Sequence, residues 1–208
     1  MANRIDKTAR ADQVIDAALK LFLERPRDEV TFELVAERSG LKFWQVYHFH
    51  GNAKTLFRAA VSRVARRVRN ELSAMPTEAQ TVRDAAWRYT EFAAGVMRDE
   101  AYAQFVYLLI RDRCVEPMLE ELYERRIARV LRDGLEAIVG NAGQRYDLII
   151  LLSPAATREF VKSLEVEFVL PKLLPGFAEP SPEAVAATIR RIADRVISAA
   201  YAIGSEAA

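Results

Sequence analysis

Gly40 is the residue that most constrains the fold of this chain, because it separates two short apolar segments. Residues 31–38 precede it and residues 42–49 follow it, and each stretch is long enough for about two helical turns. Thr31 is a favourable N-cap residue, and Val35 falls where the first helix would face inward. Glycine adopts positive φ angles without steric cost, so we predict a sharp turn at Gly40. Two short helices joined by such a turn form a helix-turn-helix motif.

Apolar residues recur at helical spacing through the remainder of the chain. The pattern predicts further helices over residues 14–23, 52–74, 78–98, 100–112, 117–139, 155–170 and 182–202. Eight glycines and eight prolines among 208 residues are too few for a turn-rich β structure. We therefore predict an all-α fold. It comprises a three-helix helix-turn-helix domain at 1–52, a connecting helix at 53–75 and a C-terminal helical domain at 76–208.

Charge is distributed unevenly, although the net charge is only +1. Residues 1–70 carry an excess of six positive charges, and residues 71–208 carry an excess of five negative charges. A basic N-terminal part followed by an acidic C-terminal part indicates that the N-terminal part contacts a nucleic acid. Ordinary variation in surface charge is the alternative explanation.

The cysteine and histidine content argues against several kinds of chemistry. Cys114 is the single cysteine, which leaves no internal disulfide and no thiolate cluster for zinc. The two histidines, His48 and His50, both fall in the second helix of the motif. No catalytic Ser/His/Asp set and no phosphate-cradling glycine loop is visible. We expect no enzymatic activity, no metal site and no cofactor.

The N-terminal segment is polar and lacks an apolar stretch of signal-peptide length. The most apolar run, at residues 148–152, is far too short to span a bilayer. We expect a soluble cytoplasmic protein without a membrane partner.

The positions of particular residues in the first third of the chain resemble the TetR family of transcriptional regulators. They are Ala18 and Phe22 in the first helix, then Thr31, Val35, Ala36, Gly40 and Leu41 around the turn, then Tyr47 and Leu56. The resemblance implies a repressor that binds a palindromic operator as a homodimer and is released by a small-molecule effector. The C-terminal domain would then serve ligand binding and dimerisation.

The resemblance, with the chemistry of the side chains, implies which residues would contact double-stranded DNA. Phosphate contacts are expected from Thr31, Tyr47, His48 and Lys54. Contacts to base edges are expected from Lys42, Phe43 and Gln45. We expect Trp44 to pack against the first helix and His50 to be a hydrogen-bonded core residue. Arg4, Lys7 and Arg10 form either a minor-groove arm or a solvated tail.

Two features of the C-terminal domain match the implied functions. Aromatic residues are the candidate lining of a mostly apolar effector pocket, although they are equally common in cores: Trp87, Phe92, Tyr102, Phe105 and Tyr123. An apolar stripe is the candidate dimer interface, unless it faces the chain's own core: Val185, Ile189, Ile192, Val196 and Ala200, with Phe160, Leu164 and Phe168.

An alternative function belongs to a different class. The segment Lys-Phe-Trp-Gln at 42–45 and the pair Ala53–Lys54 depart from the usual family pattern. The chain could therefore be a ligand-binding or protein-interaction dimer whose helix-turn-helix no longer reads DNA. The positive charge excess of residues 1–70 argues against this alternative.

Overall fold

The computed structural model describes residues 2–204, and it describes the side chains of residues 8–200. Arg4 and Lys7, two of the three candidates for a minor-groove arm, lie outside the described side chains, and the third, Arg10, is exposed. The helices are α1 Ala2–Glu24, α2 Phe32–Ser39, α3 Phe43–His50, α4 Ala53–Leu72, α5 Val82–Arg98, α6 Glu100–Asp112, α7 Met118–Tyr123, α8 Arg129–Gln144, α9 Pro154–Phe168 and α10 Pro182–Ser198. A π-helical turn, Glu124–Ala128, connects α7 to α8, and two 3₁₀ turns lie at Arg27–Glu29 and Leu170–Leu173.

The chain forms two compact units. The first comprises the residues up to Arg66 together with Gln104–Glu120. The second comprises Arg67–Ala103 together with the residues from Glu121 onward. Helices α4 and α6 each contribute residues to both units. The predicted domain boundaries at residues 52 and 75 do not coincide with the boundaries of these two units. The assignment of DNA binding and ligand binding to separate domains therefore stays a prediction.

The core of the first unit is built from the residues that the helical pattern places inward. Val14 and Ala18 of α1 and Val35 of α2 are fully buried. Phe22 meets Phe57 edge to face, with ring centroids 5.0 Å apart, an arrangement that aromatic quadrupoles favour. Burial of these side chains positions α2 and α4 against α1.

The core of the second unit centres on Tyr89 of α5, which is fully buried. Its hydroxyl donates a hydrogen bond to the carbonyl oxygen of Leu131 in α8, at 2.8 Å. Gly134 of α8 makes this packing fit, because a Cβ there would lie 2.5 Å from the Tyr89 hydroxyl. Burial raises the pKa of Tyr89, so the hydroxyl stays a neutral donor.

The all-α prediction is confirmed, with one small addition. Strand β1, Leu148–Leu152, pairs antiparallel with strand β2, Ala200–Gly204. The last helix was expected to reach residue 202, but it ends at Ser198 because the following backbone pairs with β1. The apolar run at 148–152 is therefore a short strand bounded by a turn, which helical periodicity alone does not reveal.

The apolar stripe of α10 was a candidate dimer interface unless it faced the chain's own core, and the structure shows the second of these alternatives. Val185, Ile189, Ile192 and Val196 are between 2% and 7% exposed within a single chain, where α10 packs mainly on α5. The partner residues on α9, namely Phe160, Leu164 and Phe168, are likewise buried within the chain. An amphipathic helix has one apolar face, and the intrachain core takes it up here.

Among the described helices, none is both long and apolar enough to cross a membrane.

Candidate nucleic-acid interface

The turn predicted at Gly40 is present and has the expected backbone conformation. Gly40 follows α2 with φ +68° and ψ 17°, in the left-handed region. The N–H of Leu41 donates to the carbonyl oxygen of Ala36 at 3.1 Å, which closes the end of α2. At the other end, the Thr31 hydroxyl oxygen accepts from the N–H of Leu34 at 3.4 Å. The predicted N-cap and turn are therefore both confirmed.

Helix α3 has one inner and one outer face. Val46 is fully buried and holds α3 against the other helices of the first unit. By contrast, Phe43, Trp44 and Tyr47 are 46%, 62% and 54% exposed, and His48 is exposed as well. These four residues, which we call the outer face of α3, follow the i, i+1, i+4, i+5 spacing of a single helix side.

Phe32 at the start of α2 holds two rings of the outer face in place. The Phe32 ring meets Phe43 edge to face at 6.3 Å and Tyr47 edge to face at 5.9 Å. Phe43 and Tyr47 stack on each other at 6.3 Å with an interplanar angle of 18°. Because each ring contacts the other two, Phe43 and Tyr47 have little freedom to change rotamer.

Gln45, a predicted base-reading residue, makes a local hydrogen bond instead. Its Oε1 atom accepts from the backbone N–H of Lys42 at 2.9 Å, across the first turn of α3. This bond satisfies one of the orphan donors at a helix N-terminus. A two-bond contact with adenine needs the same Oε1 atom as well as the amide N–H, so Oε1 would have to accept a second hydrogen bond through its other lone pair while the side chain stays turned towards the N–H of Lys42.

The predicted phosphate-contacting residues Thr31, Tyr47, His48 and Lys54 are all exposed in the first unit. Lys54 lies in the first turn of α4. Asn52 caps that turn, because its Oδ1 accepts from the N–H of Thr55 at 2.8 Å. Exposed cations and hydroxyls beside a helix N-terminus are suited to bind phosphate oxygens.

Two predictions for α3 were wrong. Trp44 was expected to pack against the first helix, but it lies about 200° around the helix from the buried Val46, and so it faces outward. His50 was expected to be hydrogen-bonded. Among the described residues its buried Nε2 has no hydrogen-bond partner, and burial lowers its pKa.

Arg111, near the C-terminal end of α6, is anchored to α1 within the first unit. Its guanidinium donates to the carbonyl oxygens of Phe22 and Arg25 at 2.6 and 3.0 Å. These carbonyls belong to the last turn of α1 and to the residue after it, where a cation is favourable. The end of α6 is therefore fixed to α1, the helix against which α2 and α3 pack.

Glu116 provides a second anchor in the loop after α6. The buried carboxylate accepts from Arg58 of α4 at 2.6 Å and lies 3.3 Å from the guanidinium of Arg27. Hydrogen bonding to Arg58 lowers the pKa of Glu116, so it stays charged. If this loop moves, α4 has to move with it or the ion pair between Glu116 and Arg58 has to break.

The candidate ligand residues do not form one cluster. Trp87 faces Arg190 of α10, with the guanidinium carbon 5.8 Å from the ring centroid. Phe92 packs beside Tyr89 at 6.2 Å, and Phe105 is fully buried in the part of α6 assigned to the first unit.

Tyr102 and Tyr123 do converge, on a residue that the sequence analysis missed. Their hydroxyls donate to the same atom, Glu165 Oε1, at 2.8 and 2.6 Å. Burial raises the pKa of both tyrosines, so both remain neutral donors. The sequence contains a sign of this site, because a carboxylate, Glu165, interrupts the apolar face of α9 between Val161 and Phe168.

Comparison with known proteins gives fold relationships. No protein-family model and no curated protein matches the sequence. A TetR-family transcriptional regulator from Mesorhizobium loti matches with a TM-score of 0.71 at 16% identity, over 93% of this chain and 98% of its own. The flavonoid-responsive regulator FrrA matches at 0.64 and 20%, over 96% and 100%. The multidrug binding protein EbrR, solved with imidazole, matches at 0.59 and 15%, over 88% and 94%.

The matched regions span nearly the whole of each chain, so the similarity includes both units. Sequence identities of 15–20% establish similarity of fold rather than of ligand or operator. The resemblance identified from the residues around Gly40 is confirmed at this level. The chain therefore has the fold of the TetR-family transcriptional regulators.

Proposed function

We propose that the protein is a sequence-specific DNA-binding transcriptional regulator. The observation that carries this proposal is the outer face of α3. Four exposed side chains there sit on a short helix that is fixed by Val46 and by the turn at Gly40. A helix of this length, presented outward, fits the major groove and places its N-terminal residues against base edges.

The charge of the N-terminal part supports this proposal. Residues 1–70 carry an excess of six positive charges, and Lys42 and Lys54 are exposed beside the outer face of α3. Phosphate contacts supply most of the affinity of such proteins, while the groove contacts supply the discrimination. The protein would act where chromosomal DNA is found, in the cytoplasm.

We further propose that the protein acts as a homodimer on a palindromic operator. A single recognition helix contacts few base pairs, and a second copy doubles the number of contacts. The buried stripe of α10 does not serve this purpose. Its outward side carries the small exposed residues Ala184 and Ala187, and Val166 of α9 is 55% exposed. These outward faces are the surfaces we assign to the dimer.

The effector site we propose is the cluster of Tyr102, Tyr123 and Glu165. Among the described residues, Glu165 has no Lys or Arg partner, and its hydrogen bonds come from two neutral phenols. A ligand with a positive charge would compensate the carboxylate, and the aromatic rings favour an organic cation. EbrR, which binds imidazole, illustrates that the fold accommodates small molecules.

The proposed mechanism is repression that the effector relieves. Tyr102 lies at the start of α6, and the end of the same helix is anchored through Arg111 to α1. The loop that follows is anchored through Glu116 to α4. A shift of α6 on ligand binding would therefore reach the connecting helix and change the separation of the two half-sites. Both recognition helices could then no longer bind together.

Selection from a random duplex library with the purified protein tests the proposal. A two-fold symmetric motif is the expected result. The competing function is a ligand-binding or protein-interaction dimer that does not read DNA. The hydrogen bond from the N–H of Lys42 to Gln45 Oε1 favours it, because it turns a base-reading candidate towards its own helix. That function predicts recovery of no motif and weak, strongly salt-dependent binding.

A further inference from the structure

The outer face of α3 is largely aromatic. Phe43, Trp44 and Tyr47 expose 46%, 62% and 54% of their surface. Large apolar side chains with this exposure, grouped on one helix face, mark a binding surface. Exposed Lys42 and Lys54 flank the rings, so the surface complements an anionic partner with apolar features.

The major groove offers one apolar group, the C5-methyl of thymine. The other groups that distinguish the base pairs there are hydrogen-bond donors and acceptors, which a phenyl ring cannot match. Gln45, the residue best suited to polar base recognition, is partly engaged within the helix, because its Oε1 accepts from the N–H of Lys42 at 2.9 Å. The exposed side chains at the first two positions of α3, Phe43 and Trp44, are apolar, so any discrimination they supply has to come from the thymine methyl group.

We infer that Phe43 and Trp44 are specificity-determining residues that select thymine through its methyl group. The inference rests on the proposed function and adds the chemistry by which the operator is recognised. Phe43 is pre-positioned by Phe32 and Tyr47, at 6.3 Å from each ring, so little rotamer entropy is lost on binding. Trp44 is the most exposed of the three rings and occupies the second position of α3.

The test uses the consensus duplex obtained by selection from a random library. Each thymine is replaced in turn by deoxyuridine, which removes the methyl and leaves every hydrogen-bonding group in place. We expect about a fourfold loss of affinity at one or two positions in each half-site. This factor corresponds to burial of one methyl group, about 0.8 kcal/mol, at 1.4 kcal/mol for each tenfold change.

Variants of the protein assign the effect to side chains. In Trp44→Ala and Phe43→Ala, replacement of the contacted thymine should no longer lower affinity. Trp44→Phe should retain the sensitivity, since it keeps an apolar ring and removes the indole N–H. Because Trp44 is 62% exposed, Trp44→Ala should keep the melting temperature of the parent protein. Phe43→Leu provides a second variant that preserves apolar contact without the ring.

The possible outcomes are distinct. Equal affinity for thymine and deoxyuridine at every position would overturn the inference and leave the proposed function standing. A loss that persists unchanged in both alanine variants would also overturn it, because other residues would then contact the methyl. Failure to select any motif would overturn the inference and the proposed function together.

Discussion

The side-chain oxygen of Gln45 accepts a hydrogen bond from the backbone N–H of Lys42, three residues earlier, at 2.9 Å. The bond closes the first turn of α3, the part of the helix that would enter the major groove. A residue that sequence reasoning placed against a base edge thus stabilises the helix that carries the contacts. Loss of its side chain should affect the helix before it affects any single base pair.

Gln45→Ala should lower the free energy of unfolding by about 1 kcal/mol, the typical value of a helix-capping interaction. It should also weaken binding to all duplexes by a similar factor, because α3 is less well formed. Urea unfolding and titration against a panel of single-base operator variants measure the two effects. A loss confined to one base pair would restore the role of Gln45 as an adenine-reading residue.

Glu116→Gln should destabilise the protein by about 1–3 kcal/mol at neutral pH, because Arg58 loses its charged partner. The folded-state pKa of Glu116 is lowered, so its contribution is present above the unfolded value of 4.5 and is lost as pH falls through the folded value. Unfolding curves collected between neutral and acidic pH should show a smaller decline for the variant than for the parent protein. An identical decline would contradict the assigned role.

Gly134→Ala should be destabilising, by about 1–3 kcal/mol. The added Cβ would lie 2.4 Å from the sulfur of Met75 and 2.5 Å from the Tyr89 hydroxyl, which is fixed by its bond to Leu131. Gly140 in the same helix is the matched control, since a Cβ added there would meet no atom within 4 Å. Gly140→Ala should instead stabilise α8, by up to about 1 kcal/mol. Melting temperatures that shift in the same direction for both variants would contradict this account.

Lys54→Ala should weaken binding to every duplex by a similar factor, because a phosphate contact carries no sequence information. The slope of log affinity against log salt concentration should fall in magnitude by about one unit. Arg83→Ala, which removes an exposed positive charge in the second unit, serves as the control and should leave the slope unchanged. An unchanged slope in Lys54→Ala would remove Lys54 from the DNA contacts.

Glu165→Gln should abolish the additional stabilisation by organic cations. We expect aryl ammonium and amidinium compounds to raise the melting temperature of the parent protein more than their neutral analogues do. In the variant the cations should stabilise no more than their neutral analogues do, while its affinity for DNA without ligand stays at the parent value. Equal stabilisation by neutral analogues, or full retention of the response in the variant, would exclude Glu165 from the effector site.

The parts of the fold that depend on local sequence were predictable. Thr31 and Gly40 fix the ends of α2 through bonds within a few residues, and the burial of Val46 follows from its position in the helical pattern. Asn52 likewise caps α4 through a bond to the N–H of Thr55. Each depends on neighbours along the chain, which is the information that one sequence contains.

Features that depend on distant residues were not predictable. The stripe of α10 has the same pattern whether it faces α5 or a second chain, so periodicity could not decide between them. The pairing of β1 with β2 joins residues about fifty positions apart, and it ends α10 early. Convergence of Tyr102 and Tyr123 on Glu165 needs three helices to meet, although a carboxylate within an apolar helix face was a signal that could have been used.

The most direct test of the central claim is the ratio of affinities for the selected duplex and for a scrambled duplex of the same composition. Fluorescence anisotropy would measure both at about 50 mM and about 200 mM salt, since affinity for DNA has meaning only at a stated salt concentration. We predict that the selected duplex binds at least about a thousandfold more tightly, the lower end of the range for sequence-specific proteins. A ratio near one, with the same salt dependence for both duplexes, would contradict the claim that the outer face of α3 reads DNA sequence.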